Sequence, residues 1–544
     1  MAVRLAVTVA GAVSLGSYEA GVLYEVLDAI AQHNAGVPEA SKILVDVLTG
    51  ASAGGMSATV LAQKLMFEAD SLADPYNNTL YRAWVQDIDI EGLLALQPDE
   101  DPSHSILSSN LVETLSAKYL CQRYSTHIPP APVKHAAAAG AIRLGLALSN
   151  LNGIDYSYKV KPNGTFTYTH FEDQLYAKVD SSSDTLDFWE PLRNAAVSCG
   201  AFPFAFRVKD LVRHRSEFDS PNVVFPMPFE TFTYTDGGVF QNEPLGLAKN
   251  LVDEVDQHVN TDSRFYLFIA PHVKGSTAHA DFNESNANLK ATALQLINAV
   301  YGQAGFQDWI QAEQVNQRIY LFNERAVELR DAILQARVQP SVLKDAATAL
   351  LPLLFAGRGP DTETIEQARQ RLKQQFGREY DVLTTSASSG VADIWIDSIL
   401  ALETAADLGE RDEMVIYGIT ASEAELAGSQ LEAFVGFFEQ EYRDHDYDVG
   451  RTKAREFLQN TNGVLGTQGN LPTINYVPKP INPINHDLDG LTLTEVPRDL
   501  RETVKSRLDD RANDLLEELN VEWPVREAIK LAFIDPQLKR ILAL

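Results

Sequence analysis

The chain has 544 residues, 45% hydrophobic and 22% charged, and its 45 basic against 74 acidic side chains give a formal net charge of −29. At ~150 residues per domain this length holds several cores, and the composition excludes a disordered or low-complexity protein. The charge is spread along the chain, which argues against a nucleic-acid partner and weakens attraction to anionic membranes; a lipid-facing protein of this charge would make peripheral contact through an apolar patch, or accept lipid as monomers or micelles.

The stretch "LAVTVAGAVSLGSYEAGVLYEVL", Leu5 to Leu27, has two incompatible readings. Uncharged residues from Leu5 to Tyr18 behind a lone Arg4 look like a secretory signal peptide. The same letters read as a buried strand over 3–9, a small-residue loop, and a helix from Ser17 to Gln32 with Tyr18, Val22, Val26 and Ile30 near a period of 3.6. "KILVDVLTG" then reads as a buried strand ending at Gly50, and "GGMSATVLAQKLMF" as a helix. This alternation predicts a parallel α/β sheet. Residues 69–120 look mostly helical, with an acidic break at "QPDEDPS". Strands are expected at "AIRLGLALSNL", "FTYTHF", "TFTYT" and "RFYLFIAP", the last ending near Pro271. Helix formers dominate 286–378, "EMVIYGI" (413–419) is a last strand, "YVPKPINPIN" is an extended strap, and an amphipathic helix begins near Pro497. "ALLPLLFAGRGP", 349–360, reads as a buried helix ending at a Gly/Pro break rather than as a membrane-touching lid.

No uninterrupted apolar run approaches the ~20 residues that cross a bilayer. Cys121 and Cys199 lie far apart with no CxxC pattern, so neither a disulfide framework nor a zinc site is expected, and a reducing, cytoplasmic setting is the simpler reading.

The sharpest chemical signal is "TGASAGG", Thr49 to Gly55, which fits GxSxG with Ser52 in the middle, flanked by Gly50 and Gly54 and set between a strand and a helix. In that context the serine hydroxyl stands clear of the backbone as a nucleophile, with the positive end of the helix behind it. None of the eleven histidines sits in a turn suited to a base; His170, His214 and His272 read as surface or loop residues. "FTYTDGGVFQNEP" instead places Asp236 at the end of an alternating strand, followed by Gly237 and Gly238, where an aspartate can be held against a serine.

Together these residues resemble the patatin-like phospholipase family, which uses a serine–aspartate dyad. "GASAG" matches its nucleophile motif and "DGGVFQNEP" its base motif, with Asn242 and Pro244 as family-like surroundings. "NAAVSCGAFPFAFRV" is similar to its AFP turn. The resemblance implies a three-layer α/β/α fold with a mostly parallel central sheet, with helical additions in the C-terminal half. It implies a catalytic domain over 1–280, a mainly helical insertion or cap over 281–410, and a returning strand and helical region over 411–544. It implies hydrolysis of an acyl lipid or fatty ester, of phospholipase A, lysophospholipase or esterase type, through an acyl-serine on Ser52 with Asp236 as base, and no cofactor or metal. The oxyanion would be held by N–H groups of Gly11, Ala12, Val13, Ser14 and Ala53.

The match is looser at "GAVSLG". Ala12 and Val13 replace glycines and Leu15 replaces a basic residue, and residues with a Cβ are not expected at the positive φ open to glycine. That departure supports a rival reading, a catalytically weak scaffold or effector-binding protein; an acyltransferase is a second rival. With Ser52 and Asp236 downstream, "AGAVSLGSYEAGV" is read as an oxyanion loop entering the first helix rather than as a signal peptide. Weaker similarity to bacterial patatin-related proteins returns over Ala427–Leu458, where "RDHDYD" reads as a helix end, solvated or salt-bridged with Arg443 and Arg451, rather than a metal site formed by His445, Asp446 and Asp448.

Overall fold

The computed structural model describes residues 3–126, 129–160, 164–218, 220–225, 228–256, 264–272, 307–356, 363–406, 408, 414–429, 433–459 and 473–518, with short stretches between 282 and 299 and between 526 and 544. It divides into two units. The first is built from Met1–Gln257, Thr261–Trp309 and Val415–Leu544, the second from residues that include Ile310–Met414.

The first unit opens with β1 (Val3–Val9), α1 (Gly16–Gly36), β2 (Ile43–Gly50) and α2 (Ser52–Phe67). Nearly every residue of β1 and β2 is buried. That is the pattern of parallel strands covered on both faces. Then follow α3 (Ser109–Leu120), β3 (Ala138–Val160), β4 (Gly164–Val179), α4 (Leu186–Cys199), β5 (Lys209–His214), β6 (Val223–Val224), β7 (Phe229–Asp236), α5 (Leu245–Asp256), β8 (Arg264–His272) and β9 (Ile416–Ala421).

These strands form one sheet in the order β5-β7-β3-β2-β1-β8-β9, with β4 and β6 also paired to β3. The run β3-β2-β1-β8-β9 is parallel, while β4, β6 and β7 join β3 antiparallel and β5 joins β7 antiparallel. Successive side chains on a strand point to opposite faces. Leu144, Leu146 and Leu148 of β3 accordingly enter the core that α1 and α2 share, while a Cβ on Gly145 between them would meet Leu247 and Leu251 of α5. Helices therefore cover both faces, and the architecture is the three-layer α/β/α arrangement.

Strand β3 brings the two motifs together. Gly50 at the end of β2 lies opposite Leu146, and Asp236 at the end of β7 lies opposite Leu148. The residue two positions after Gly50 and the last residue of β7 thus meet at one end of the sheet.

The second unit is helical, with most of α6 (Gln307–Leu334), then α7 (Pro340–Leu354), α8 (Ile365–Gln375), α9 (Gly377–Ser386) and α10 (Ser389–Ala405). Its core centres on Trp395, Phe376, Leu372 and Ile396. The Trp395 ring N–H donates to the Ala326 carbonyl at 3.0 Å. The apolar stretch at 349–360 is amphipathic here: Leu351 is buried and Leu353 is 73% exposed, while 357–360 lie outside the described residues.

The first unit resumes with α11 (Gln440–Gln459) and α12 (Arg498–Glu518). Three expectations need correction. Residues 69–108 hold only short helical pieces, among them Thr79–Tyr81 and Ile90–Leu94, because Pro75 and Pro102 interrupt the pattern. β5 went unanticipated, since the Lys, Asp and Arg of "KDLVRH" hide its alternation. "RDHDYD" is not solvated: it is buried in the first half of α11, where Asp446 accepts from the N–H groups of Ala427 and Gly428, while Arg451 makes the salt bridge, with the buried Glu25 of α1.

The "YVPKPINPIN" strap has no regular structure and crosses α1, where the Val477 N–H donates to Gln32 at 2.9 Å and the Lys479 ammonium reaches Asp28 at 2.8 Å. Among the described residues no helix is long and apolar enough to cross a membrane, and no group of three or more His, Cys, Asp or Glu is arranged to hold a metal ion.

Candidate active site

The turn from β2 into α2 carries Ser52 at φ +50°. A residue with a Cβ costs on the order of 1–2 kcal/mol in that left-handed region, so the surroundings must hold it there. They do so by close packing: Gly54 lies against the carbonyls of Val9 and Ala10, where no Cβ fits, and a Cβ on Gly50 would stand 2.5 Å from the Gly54–Gly55 peptide. The strain is therefore borne by the serine, while the glycines supply space.

Asp236 caps the short turn Gly237–Val239, and its Oδ1 accepts the Gly238 N–H at 2.7 Å. Gly237 backs directly onto the Ala147 carbonyl of β3. The Asp236 backbone is pinned at both groups: its N–H donates to Ala201 at 3.0 Å, and its carbonyl accepts from the Ser149 hydroxyl at 2.7 Å. Its other carboxylate oxygen, Oδ2, accepts the Ser52 hydroxyl at 2.6 Å. Both side chains are buried, Ser52 at 7% and Asp236 at 1% exposure. Burial pushes the Asp236 carboxyl up to about 7, against the opposing pull of the hydrogen bonds from Ser52 and Gly238.

The Gly11–Ser14 segment packs over this pair. A Cβ on Gly11 would stand 3.0 Å from the Ser52 Cβ and would collide with the Asn242 amide. The Gly11 N–H itself donates to the Asn242 carbonyl at 3.1 Å, so it is engaged and cannot face an oxyanion. Val13 adopts φ +51°, contrary to the expectation that only glycine would do so. The 3₁₀ turn Val13–Leu15 begins its ladder with the Leu15 N–H on the Ala12 carbonyl, at 3.0 Å. The Val13 and Ser14 N–H groups precede that bond and have no partner within the turn. Ala53, in the first turn of α2, is in the same position. Leu15, which replaces a basic residue, is fully buried.

Ser52 opens onto a cavity of about 90 Å³, lined with Val13, Met56, Trp84, Val197, Phe206 and Phe437 among others. Its polar lining groups are few: beside Ser52 they are Ser116, Tyr119 and the Trp84 ring N–H, which is turned to Ser57 at 2.9 Å. The AFP segment serves both features, since Ala201 pins Asp236 while Phe202 lines the cavity.

No histidine is recorded in a bond with Ser52 or Asp236 among the described residues, and the His272 side chain lies outside them. Sequence reasoning missed Ser149, Trp84 and Phe437, which carry no local motif. It also missed Cys199, which is buried behind the turn, with its Sγ 3.9 Å from the Gly50 carbonyl.

The sequence model of the patatin-like phospholipase family matches residues 7–249. A protein of Sinorhizobium fredii (strain NBRC 101917 / NGR234), described as uncharacterized protein y4iI, is 24% identical over 386 residues, 56% of this chain and 54% of that protein. The chain thus spans about half the length of that relative. The crystal structure of VipD from Legionella pneumophila aligns at 11% identity over 99% of this chain and 88% of that one, with a TM-score of 0.25, too low to carry anything across. The matched residues take in Ser52, Asp236 and the loop beside them, and over this stretch the chain matches the patatin-like phospholipase family.

Proposed function

We propose that the chain hydrolyses acyl esters of lipids through a covalent acyl-serine, with Ser52 as nucleophile and Asp236 as its base. The observation that carries this reading is the short Ser52–Asp236 hydrogen bond at the mouth of an apolar cavity. Asp236 Oδ2 takes the hydroxyl proton as Ser52 Oγ attacks the acyl carbonyl. The alkoxide of the tetrahedral intermediate is held by the N–H groups of Ala53, Val13 and Ser14, each contributing on the order of 3 kcal/mol. The intermediate collapses, the ester C–O bond breaks, and Asp236 returns the proton to the leaving alcohol. Water then enters, gives a proton to Asp236 and attacks the acyl carbon; the bond from that carbon to Ser52 Oγ breaks, Asp236 returns the proton to Oγ, and the fatty acid leaves. The acyl chain lies in the apolar cavity.

The direct test is a fluorophosphonate probe on the intact chain. Covalent labelling on the peptide that carries Ser52 is expected; folded protein that stays unlabelled and turns over no lipid ester would sink the hydrolase reading and favour the weak-scaffold alternative.

The cavity gives a separate prediction. Val197→Phe should fill part of it while leaving Ser52 and Asp236 in place. Excluding about four methylenes of an acyl chain removes ~3 kcal/mol of burial. The ratio of kcat/KM for a palmitoyl over a butyryl ester should therefore fall roughly hundredfold. An unchanged ratio would place the acyl chain elsewhere.

A further inference from the structure

We infer that Ser14 is a positioning residue, whose hydroxyl, bonded to the Ala433 carbonyl, lets Ala427, Gly428, Ala433, Gly436 and helix α11 set the oxyanion loop. This rests on the hydrolase reading above.

The loop needs holding. Val13 sits at φ +51°, in a region where a β-branched residue is a genuine outlier, and such strain persists only where the surroundings over-determine it. The residue next to it supplies a tie. Ser14 is fully buried, and its Oγ donates to the carbonyl of Ala433, a residue 419 positions away. The Ser14 carbonyl in turn accepts from the Ser17 hydroxyl at 3.1 Å, which links the loop to the first turn of α1.

The acceptor is itself fixed. Gly436 lies so close to Ser14 that a Cβ there would collide with its hydroxyl and stand 3.0 Å from its Cβ. Arg443, 2% exposed on α11, donates to the carbonyls of Gly436 and Phe437 and to that of Val85, each at 3.0 Å. Asp446, fully buried on the same helix, accepts the N–H groups of Ala427 and Gly428 at 2.8 and 3.0 Å. A Cβ on Gly428 would stand 3.1 Å from the Leu15 side chain, so that segment also walls in the residue replacing the basic one.

Helix α11 is in turn seated on α1. Gly21 and Gly450 let the two backbones approach to where neither position has room for a Cβ: the first faces the Tyr447 carbonyl, the second the Tyr18 carbonyl. Arg451 and Arg455 both reach Glu25. A route of fixed groups thus runs from α11 through Ala433 to the Ser14 hydroxyl, next to the N–H groups assigned to the oxyanion. Phe437, on the same segment, lines the acyl cavity together with Val13.

The test uses the full chain and a butyryl ester, for which the acyl cavity matters least. Ser14→Ala keeps every backbone N–H and removes only the tie. Its kcat should fall about tenfold to hundredfold, since a displacement of about 1 Å in the stabilising groups costs that much. KM should stay within about twofold, and the midpoint of the pH–rate profile should not move, because the Ser52–Asp236 pair is untouched. Asp446→Asn, which loosens Ala427 and Gly428 without touching the loop, should lower kcat in the same manner and serves as the test should Ser14→Ala not fold. Wild-type kcat in the folded variant, or a loss that comes with a shifted pH midpoint, would overturn the inference. A wild-type chain neither labelled by fluorophosphonate nor active would instead sink the hydrolase reading, so the two failures are distinguishable.

Discussion

Asp236→Asn is expected to lower kcat by about 10²–10⁴-fold while making the folded protein more stable above pH 7. The first effect follows from the loss of the only base bonded to Ser52 among the described residues: an amide can accept the hydroxyl hydrogen bond but cannot take its proton. The second follows from burial. The Asp236 carboxyl keeps its proton up to about pH 7 in the folded state, whereas an unfolded chain releases it near 4. Between those values the folded state binds more protons than the unfolded one, so this group's contribution to stability falls as pH rises and is lowest above 7. Asparagine removes that fall. The gain over wild type should reach up to about 4 kcal/mol above pH 7 and vanish near pH 4, read from denaturant unfolding at a series of pH values. Wild-type kcat/KM should rise with pH through about 7 as the base ionises, and a profile flat across that pH would remove Asp236 from the role.

Ser52→Ala should abolish fluorophosphonate labelling and lower ester turnover by at least about 10⁴-fold, to the level that binding and the N–H groups alone sustain. The same substitution leaves Asp236 buried without its hydroxyl donor, which pushes its carboxyl further above the ordinary range. If nucleophile and base act as a unit, the double variant Ser52→Ala/Asp236→Asn should be no slower than Ser52→Ala alone. A double variant slower by the full product of the two single effects would mean that Asp236 works through some group other than Ser52.

The central strands were legible in the sequence because burial on both faces leaves uninterrupted apolar runs, as in "LAVTV" and "ILVDVL". Ser52 and Asp236 were legible because each motif is local, with its glycines and asparagine within a few residues. The geometry then supplied what local patterns lack. Val13 looked confined to negative φ because a neighbour's hold on it is invisible in its own letters, and the Ser14–Ala433 bond joins parts of the chain that no spacing rule connects. "RDHDYD" looked solvated because charge usually marks a surface, yet Asp446 and Arg443 are buried on backbone partners that come from outside the motif. The apolar cavity draws on α2, α3, α4, Trp84 and Phe437 among others, whose side chains carry no common signature.

The strand order has a practical consequence for anyone trimming this protein. The residues that match the family end at 249, before β8, yet β8 pairs with β1 from Arg4 to Val9 and also takes the Ala10 N–H. A fragment cut at that point would bare the hydrogen-bonding rim of β1 along its whole length, an open sheet edge made of "RLAVTV". Such an edge recruits strands from other molecules, so the shortened protein would trade its central sheet for aggregation.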